Sequence, residues 1–124
     1  MALLNFKKQF VPKIESGEKT HTIRATRKTP IRAGETLHLY TGLRQKGTRL
    51  LMRVPCTRVQ PIRIETVRDG AVMAIDGQWY TQSECQQVAI RDGFANWDEM
   101  VAFFADRLPF TGQIIHWDFP GAAK

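Results

Sequence analysis

Ser16-Gly17-Glu18-Lys19-Thr20-His21-Thr22-Ile23-Arg24 places a glycine turn, an ammonium, two threonine hydroxyls and a guanidinium within nine residues. Phe6, Phe10 and Ile14 precede it at every fourth position, so one or two helical turns are expected to run up to Gly17. Pro12 suits the first turn of such a helix and Gly17 its left-handed end. Lys19 to Arg24 then alternates as a strand does. In a plain strand Thr20, Thr22 and Arg24 share one face and Lys19 points to the other. Lys19 and Thr22 therefore converge only if Lys19 sits in the turn, before the strand begins. Two readings stay open for the run: a half-buried strand with a polar face, or the floor of a reactive site.

Outward from this run, the chain reads as short strands followed by helices. Thr36 to Thr41 is an expected strand after the turn at Gly34-Glu35, and Gly42 to Gly47 a basic loop. Leu50 to Val59 is an expected strand interrupted by Pro55, which suits an edge or a bulge. Ile62 to Val67 alternates again. Ala71 to Ile75 and Gln78 to Thr81 flank Asp76-Gly77, a type I′ hairpin signal. Thr81-Gln82-Ser83-Glu84 has capping-box spacing and opens a helix through about Arg91, near Gly93. Asn96 and Glu99 repeat that spacing ahead of an apolar stripe of Met100, Phe103, Phe104 and Leu108, which ends before Pro109. Gln113 to Phe119 is the last expected strand. Five or six short, twisted strands with two or three helices predict an α+β fold whose sheet closes into a small barrel.

With 124 residues, no linker and no repeat, the chain is expected to form one domain over residues 1–124. No apolar run approaches the roughly 18 residues of a membrane span, and the N-terminal charges follow only a very short apolar stretch. A secretory leader has the reverse order, so a cytoplasmic protein with no membrane partner is expected. Cys56 and Cys85 are too few for a disulfide scaffold, and His21, His38 and His116 stand isolated. Zinc ligands come at short spacings, so neither a metal nor an organic cofactor is expected. The net charge of +6 is unevenly spread. Up to Arg68 there are 15 Lys/Arg against 4 Asp/Glu, and from Asp69 onward 3 against 8. That asymmetry favours a phosphate-bearing partner, nucleotide or RNA.

The pattern G-x-K-T-x-T-I-R, after Phe and Ile at helical spacing, resembles the opening of the ASCH domain family. Gly34-Glu35-Thr36-Leu37, Gly42-Leu43-Arg44-Gln45-Lys46 and Asp92-Gly93-Phe94 before Trp97 to Phe104 agree with it in order, so the resemblance spans Phe6 to Phe119. It implies a PUA-like fold, a small β-barrel with flanking helices, and an association with RNA. Some small bacterial members of that family remove the acyl group from N4-acetylcytidine, using the lysine and threonine of K-x-x-T and a later glutamate. Carried over, these roles fall on Lys19, Thr22 and Asp92; the acid departs from the family, because Asp is one methylene shorter than Glu. Glu84 is a poorer substitute, being a capping residue.

The implied chemistry is a lysine base that takes the Thr22 proton as the hydroxyl attacks the amide carbonyl. A free lysine, with a pKa of about 10.4, is protonated; burial and a neighbouring cation such as Arg24 would lower it. Asp92, with a raised pKa, would protonate the departing nitrogen. Arg24, Thr20, Tyr40, Arg44 and Lys46 are the expected substrate-binding residues, with Arg24, Arg44 and Lys46 on phosphates and Tyr40, Trp79 or Trp117 available for stacking on a base. Arg24 could instead pair with Asp92, and the aromatics could be core. The sequence therefore predicts an amidohydrolase acting on N4-acylated cytosine nucleosides or nucleotides. The alternative is a non-catalytic RNA-binding module that spreads the cations of Arg44 to Arg63 over one face. Phosphodiester cleavage ranks third, since the chain has no histidine pair of the kind many ribonucleases use.

Overall fold

The computed structural model describes residues 2–120. The first element is a strand, β1 (Ala2–Phe6), with Ala2, Leu4 and Phe6 buried and Leu3 and Asn5 outward. The every-fourth spacing of Phe6, Phe10 and Ile14 therefore mixes two elements. Phe6 ends a strand, Phe10 closes a single 3-10 turn, and Ile14 belongs to the short helix α1 (Val11–Ser16). Gly17 ends α1 at φ 85, and its N–H donates to the Ile14 carbonyl at 3.2 Å. A Cβ there would also meet the Phe119 ring at 2.8 Å, so both conformation and space require glycine.

Six further strands follow: β2 (His21–Ala25), β3 (Thr36–Thr41), β4 (Arg49–Val67), β5 (Gly70–Ile75), β6 (Gln78–Trp79) and β7 (Phe110–Trp117). β4 runs unbroken for 19 residues, where two strands, Leu50 to Val59 and Ile62 to Val67, were expected. Pro55 lies opposite Thr36 at the end of the β3 ladder, and from Cys56 onward the strand pairs with β7. A missing N–H is tolerated there because the strand is changing partners. Its last residues, Ile62 to Val67, also pair with β5. Asp76 (φ 54) and Gly77 (φ 79) both take the left-handed conformation, as the hairpin signal requires.

The result is a mixed α+β fold on a seven-stranded sheet in the order β1-β3-β4-β5-β6, with β7 beside β4 and β2 beside β7. The expected five or six strands fell short because β1, five residues with little polar contrast, was absorbed into the helical reading. The expected barrel does not close. No backbone ladder joins β1 to β2. Two arginines cross the gap instead: the Arg24 guanidinium donates to the Asn5 carbonyl at 2.6 Å and that of Arg27 to the Leu3 carbonyl at 2.7 Å. These are the outward carbonyls that a closing strand would have taken, so the open edge is covered by side chains.

On the sheet lie α2 (Gln82–Arg91), with a full Thr81–Glu84 capping box, and α3 (Trp97–Phe104), capped by Asn96. Met100 and Phe104 enter one apolar cluster with Leu37, Leu39, Ile62, Ile64 and Met73. Trp117 belongs to that cluster, Trp79 is exposed, and both cysteines are buried thiols. No helix among the described residues is long and apolar enough to cross a membrane. Gly112 pairs with Ala25 and Ile62, and a Cβ on it would collide with the Arg24 carbonyl and the Phe110 ring. Gly112→Ala is expected to lower the unfolding free energy by about 1–3 kcal/mol, read from denaturant titration, because backbone rather than a mobile side chain must yield.

Candidate functional site

The bend at Gly17 decides where Lys19 points. The Lys19 N–H donates to the Lys13 carbonyl at 3.0 Å, which keeps Lys19 in the turn, and β2 begins only at His21. Lys19 and Thr22 consequently face one cavity of about 200 Å³, together with Arg24 and Asp92. Five of the chain's seven phenylalanines (Phe6, Phe10, Phe94, Phe103 and Phe104) line it as well. A charged group at its floor is therefore held in an apolar, poorly hydrated setting.

Lys19 is only 2 % exposed, and its ammonium donates to the Asp92 carboxylate at 2.8 Å and to the Asp92 carbonyl at 2.5 Å. Asp92 follows the last turn of α2, and Lys13 bonds the next carbonyl, that of Gly93, at 3.2 Å. Two ammonium groups thus sit at the negative end of the α2 dipole. Gly93 (φ 101) makes room for them, since a Cβ there would meet the Phe10 ring at 2.9 Å and the Lys19 stem at 3.3 Å. The Phe10 ring lies 5.1 Å from the Lys19 ammonium, in cation–π range.

Burial pushes the Lys19 pKa down, Asp92 opposes this, and Arg24 and Lys13 add to the fall. At Asp92, burial pushes the carboxyl up, but the Lys19 ammonium and the His21 ring outweigh it and hold it below the ordinary carboxylate range. The raised acid expected of Asp92 is thus corrected: in the resting protein it is a hydrogen-bond acceptor, because the Lys19 ammonium donates to it. Burial lowers Arg24 to about 10, which leaves it charged at neutral pH. Arg24 does not pair with Asp92. Its Nε–H donates to the Thr22 hydroxyl at 3.2 Å, and its plane covers the Phe6 ring at 4.7 Å.

Lys19, Thr22, Asp92 and Arg24 are therefore brought together, while no hydrogen bond joins Lys19 to Thr22 directly. The other expected binding residues stand apart. Thr20 gives only its carbonyl, to the Trp117 N–H at 3.0 Å, and Tyr40 is half-buried on β3 away from the cavity. Arg44 lies in a neighbouring groove that shares Asn5 and Arg24 with the cavity, and Lys46 is exposed in the same loop but lines neither. Alternation on an ideal strand misassigned Thr20, and Lys46 extends outward from a turn whose path the residues do not specify. Reading the sequence also passed over His21, whose Nδ1 lies 3.1 Å from the Asp92 carboxylate. Its place inside the motif was visible, but its partner lies 71 residues along the chain and only folding joins them.

Contrary to the isolated histidines expected, the His21 ring packs behind Asp92 on His116, its partner across β2 and β7, with centroids 5.3 Å apart. His116 Nε2 lies 2.8 Å from the Gln60 side-chain oxygen. Burial, His21 and Arg58 lower the His116 pKa to about 4. Its stabilising contribution is complete above the unfolded histidine value, about 6.5, and is lost as the pH falls through about 4. Stability is therefore expected to decline by about 1 kcal/mol over this window, after discounting for the half-exposed ring. Denaturation midpoints at several pH values test this, and His116→Gln should flatten the slope.

Among the described residues no group of three or more His, Cys, Asp or Glu is placed to hold a metal ion. Compared with known proteins, the chain matches no protein-family model, no curated protein and no solved structure.

Proposed function

We propose that this chain is an amidohydrolase that removes the acyl group from N4-acylated cytosine compounds, as its resemblance to ASCH-domain enzymes implies. The observation that carries this reading is the fully buried Lys19–Asp92 pair beside the Thr22 hydroxyl in a small, phenylalanine-walled cavity. Burying two charges is costly, and an apolar replacement of similar volume is often as stable. A pair kept at a cavity floor next to a hydroxyl therefore favours chemistry over a purely structural role.

The proposed cycle begins with the proton in the 2.8 Å Lys19–Asp92 bond. Moving it to Asp92 gives an amine and a carboxylic acid, neither penalised by burial. The Lys19 amine then accepts the Thr22 proton as the threonine oxygen attacks the acyl carbonyl. Asp92 gives its proton to the cytosine nitrogen as the C–N bond breaks. The Asp92 carboxylate then takes a proton from a water molecule that attacks the acyl ester, and the Lys19 ammonium returns its proton to the departing Thr22 oxygen as the carboxylic acid leaves. Arg24, donating to the Thr22 oxygen, steadies it as its proton leaves.

Incubation with N4-acetylcytidine, following cytidine release by chromatography, tests the reading. Release by the wild type and none by Lys19→Ala is the expected result; equal release from both would sink it. The RNA-binding alternative relies on free cations between Arg44 and Arg63, and it is weakened by Arg49 pairing with Glu15 and Arg63 with Glu65.

A further inference from the structure

We propose that the groove beside the cavity binds a phosphate through Arg27 and Arg44, so that the substrate is a nucleoside monophosphate rather than the bare nucleoside. This rests on the cytosine reading of the cavity.

The cavity, about 200 Å³, is smaller than the roughly 300–1,000 Å³ of sites that enclose whole small molecules. It suits a base-sized group, and the remainder of the ligand must leave by an open side. The adjoining groove, about 780 Å³, shares Asn5 and Arg24 with the cavity and continues past Leu3, Arg27, Leu43 and Arg44. Three guanidinium groups thus line it, and among the described residues no carboxylate does. Like charges so placed repel one another and favour an anion between them.

The groove is also built rather than incidental. Arg24 and Arg27 each bind a β1 carbonyl, at 2.6 Å and 2.7 Å, which fixes both guanidinium groups at the rim. The loop that carries Arg44 is tied to the same strand, since the Leu43 N–H donates to the Asn5 side-chain oxygen at 2.9 Å. The Thr48 hydroxyl closes that loop on the Gly42 carbonyl at 2.8 Å. Arg44 itself sits at φ 65, a conformation uncommon outside glycine, and among the described residues its exposed side chain has no ion-pair or hydrogen-bond partner. Preorganised arginines with spare N–H groups are the usual means of gripping a phosphate.

Calorimetric titration of the full chain with cytidine and with cytidine 5′-monophosphate tests this without requiring turnover. The monophosphate is expected to bind about tenfold tighter at low salt, the size of one charge-assisted contact in an open site. The advantage should shrink with added salt, fall to about twofold or less in Arg27→Ala/Arg44→Ala, and survive in Arg68→Ala, a cation in the β4–β5 turn. Equal affinities, or an advantage that persists in the double variant, would overturn the assignment, as would an oligonucleotide binding far more tightly than the mononucleotide. Hydrolysis of N4-acetylcytidine and of its 5′-monophosphate is followed in parallel. A monophosphate preference without hydrolysis would overturn the enzyme reading and leave the groove standing. Hydrolysis without preference would do the reverse.

Discussion

Lys19→Met is expected to lower the unfolding free energy by about 3–5 kcal/mol at pH 7 and to invert the protein's response to mild acid. Methionine has a similar length and suits the phenylalanine wall, so packing is nearly conserved. The loss comes from Asp92, left as a buried carboxylate without the ammonium 2.8 Å away. In the wild type that ammonium helps hold the folded Asp92 pKa below its ordinary value. The resulting stability is present above the unfolded carboxylate value of about 3.9, and is lost as the pH falls through the lower folded value. In Lys19→Met, burial acts with only His21 to oppose it, so the folded pKa rises above the unfolded one. Stability is then recovered at pH below the unfolded value and lost as the pH rises through the folded value. Between pH 7 and 5 the variant should therefore gain stability on acidification, while the wild type loses some through His116. Guanidinium denaturation across that range reads the crossing. Adding Asp92→Asn to Lys19→Met should recover most of the loss at pH 7, because a neutral amide replaces the stranded charge. Failure of that rescue would place the cost in packing, and the ion pair would then be a minor contributor.

Much of this architecture could be read from local pattern. The capping residues Thr81 and Asn96, the Asp76-Gly77 turn and the strand from Thr36 to Thr41 each act through neighbours in sequence, and each is where it was expected. What failed depended on distant partners. Pro55 reads as an edge or a bulge, and the register does shift between Cys56 and Arg58, but that one strand runs on from β3 to β7 is decided by tertiary structure. β1 earns its strand by parallel pairing with β3, some 35 residues later, rather than by its own pattern. Closure failed for a related reason: nothing in the sequence shows that Arg24 and Arg27 will take the β1 carbonyls. In the site, the turn position of Lys19 followed from Gly17, and Asp92 from the resemblance. The sense of the Asp92 shift did not follow, because it depends on His21 and Lys19 reaching one carboxylate from another part of the fold.

Thr22→Ala should reduce turnover of an N4-acylcytosine substrate by at least about 10³-fold while leaving the fold almost as stable as before. The two halves separate catalysis from structure. Structurally, Thr22 is buried and its hydroxyl accepts one hydrogen bond, from Arg24 at 3.2 Å. Arg24 keeps its bond to the Asn5 carbonyl in the variant, so removing the hydroxyl should cost about 1 kcal/mol. Catalytically, no second hydroxyl among the described residues lines the cavity, so the proposed acyl intermediate forms on Thr22. Thr22→Ser retains the oxygen, gives up only a methyl group, and should keep activity within about tenfold of the wild type. Rapid quenching followed by peptide mass analysis should find the acyl group on the peptide containing Thr22 in the wild type and Thr22→Ser, and not in Thr22→Ala. Substantial hydrolysis by Thr22→Ala, with loss in Lys19→Ala, would mean that the Lys19–Asp92 pair activates water directly. The same buried pair can serve either route, and the trapped intermediate distinguishes them where the rate alone does not.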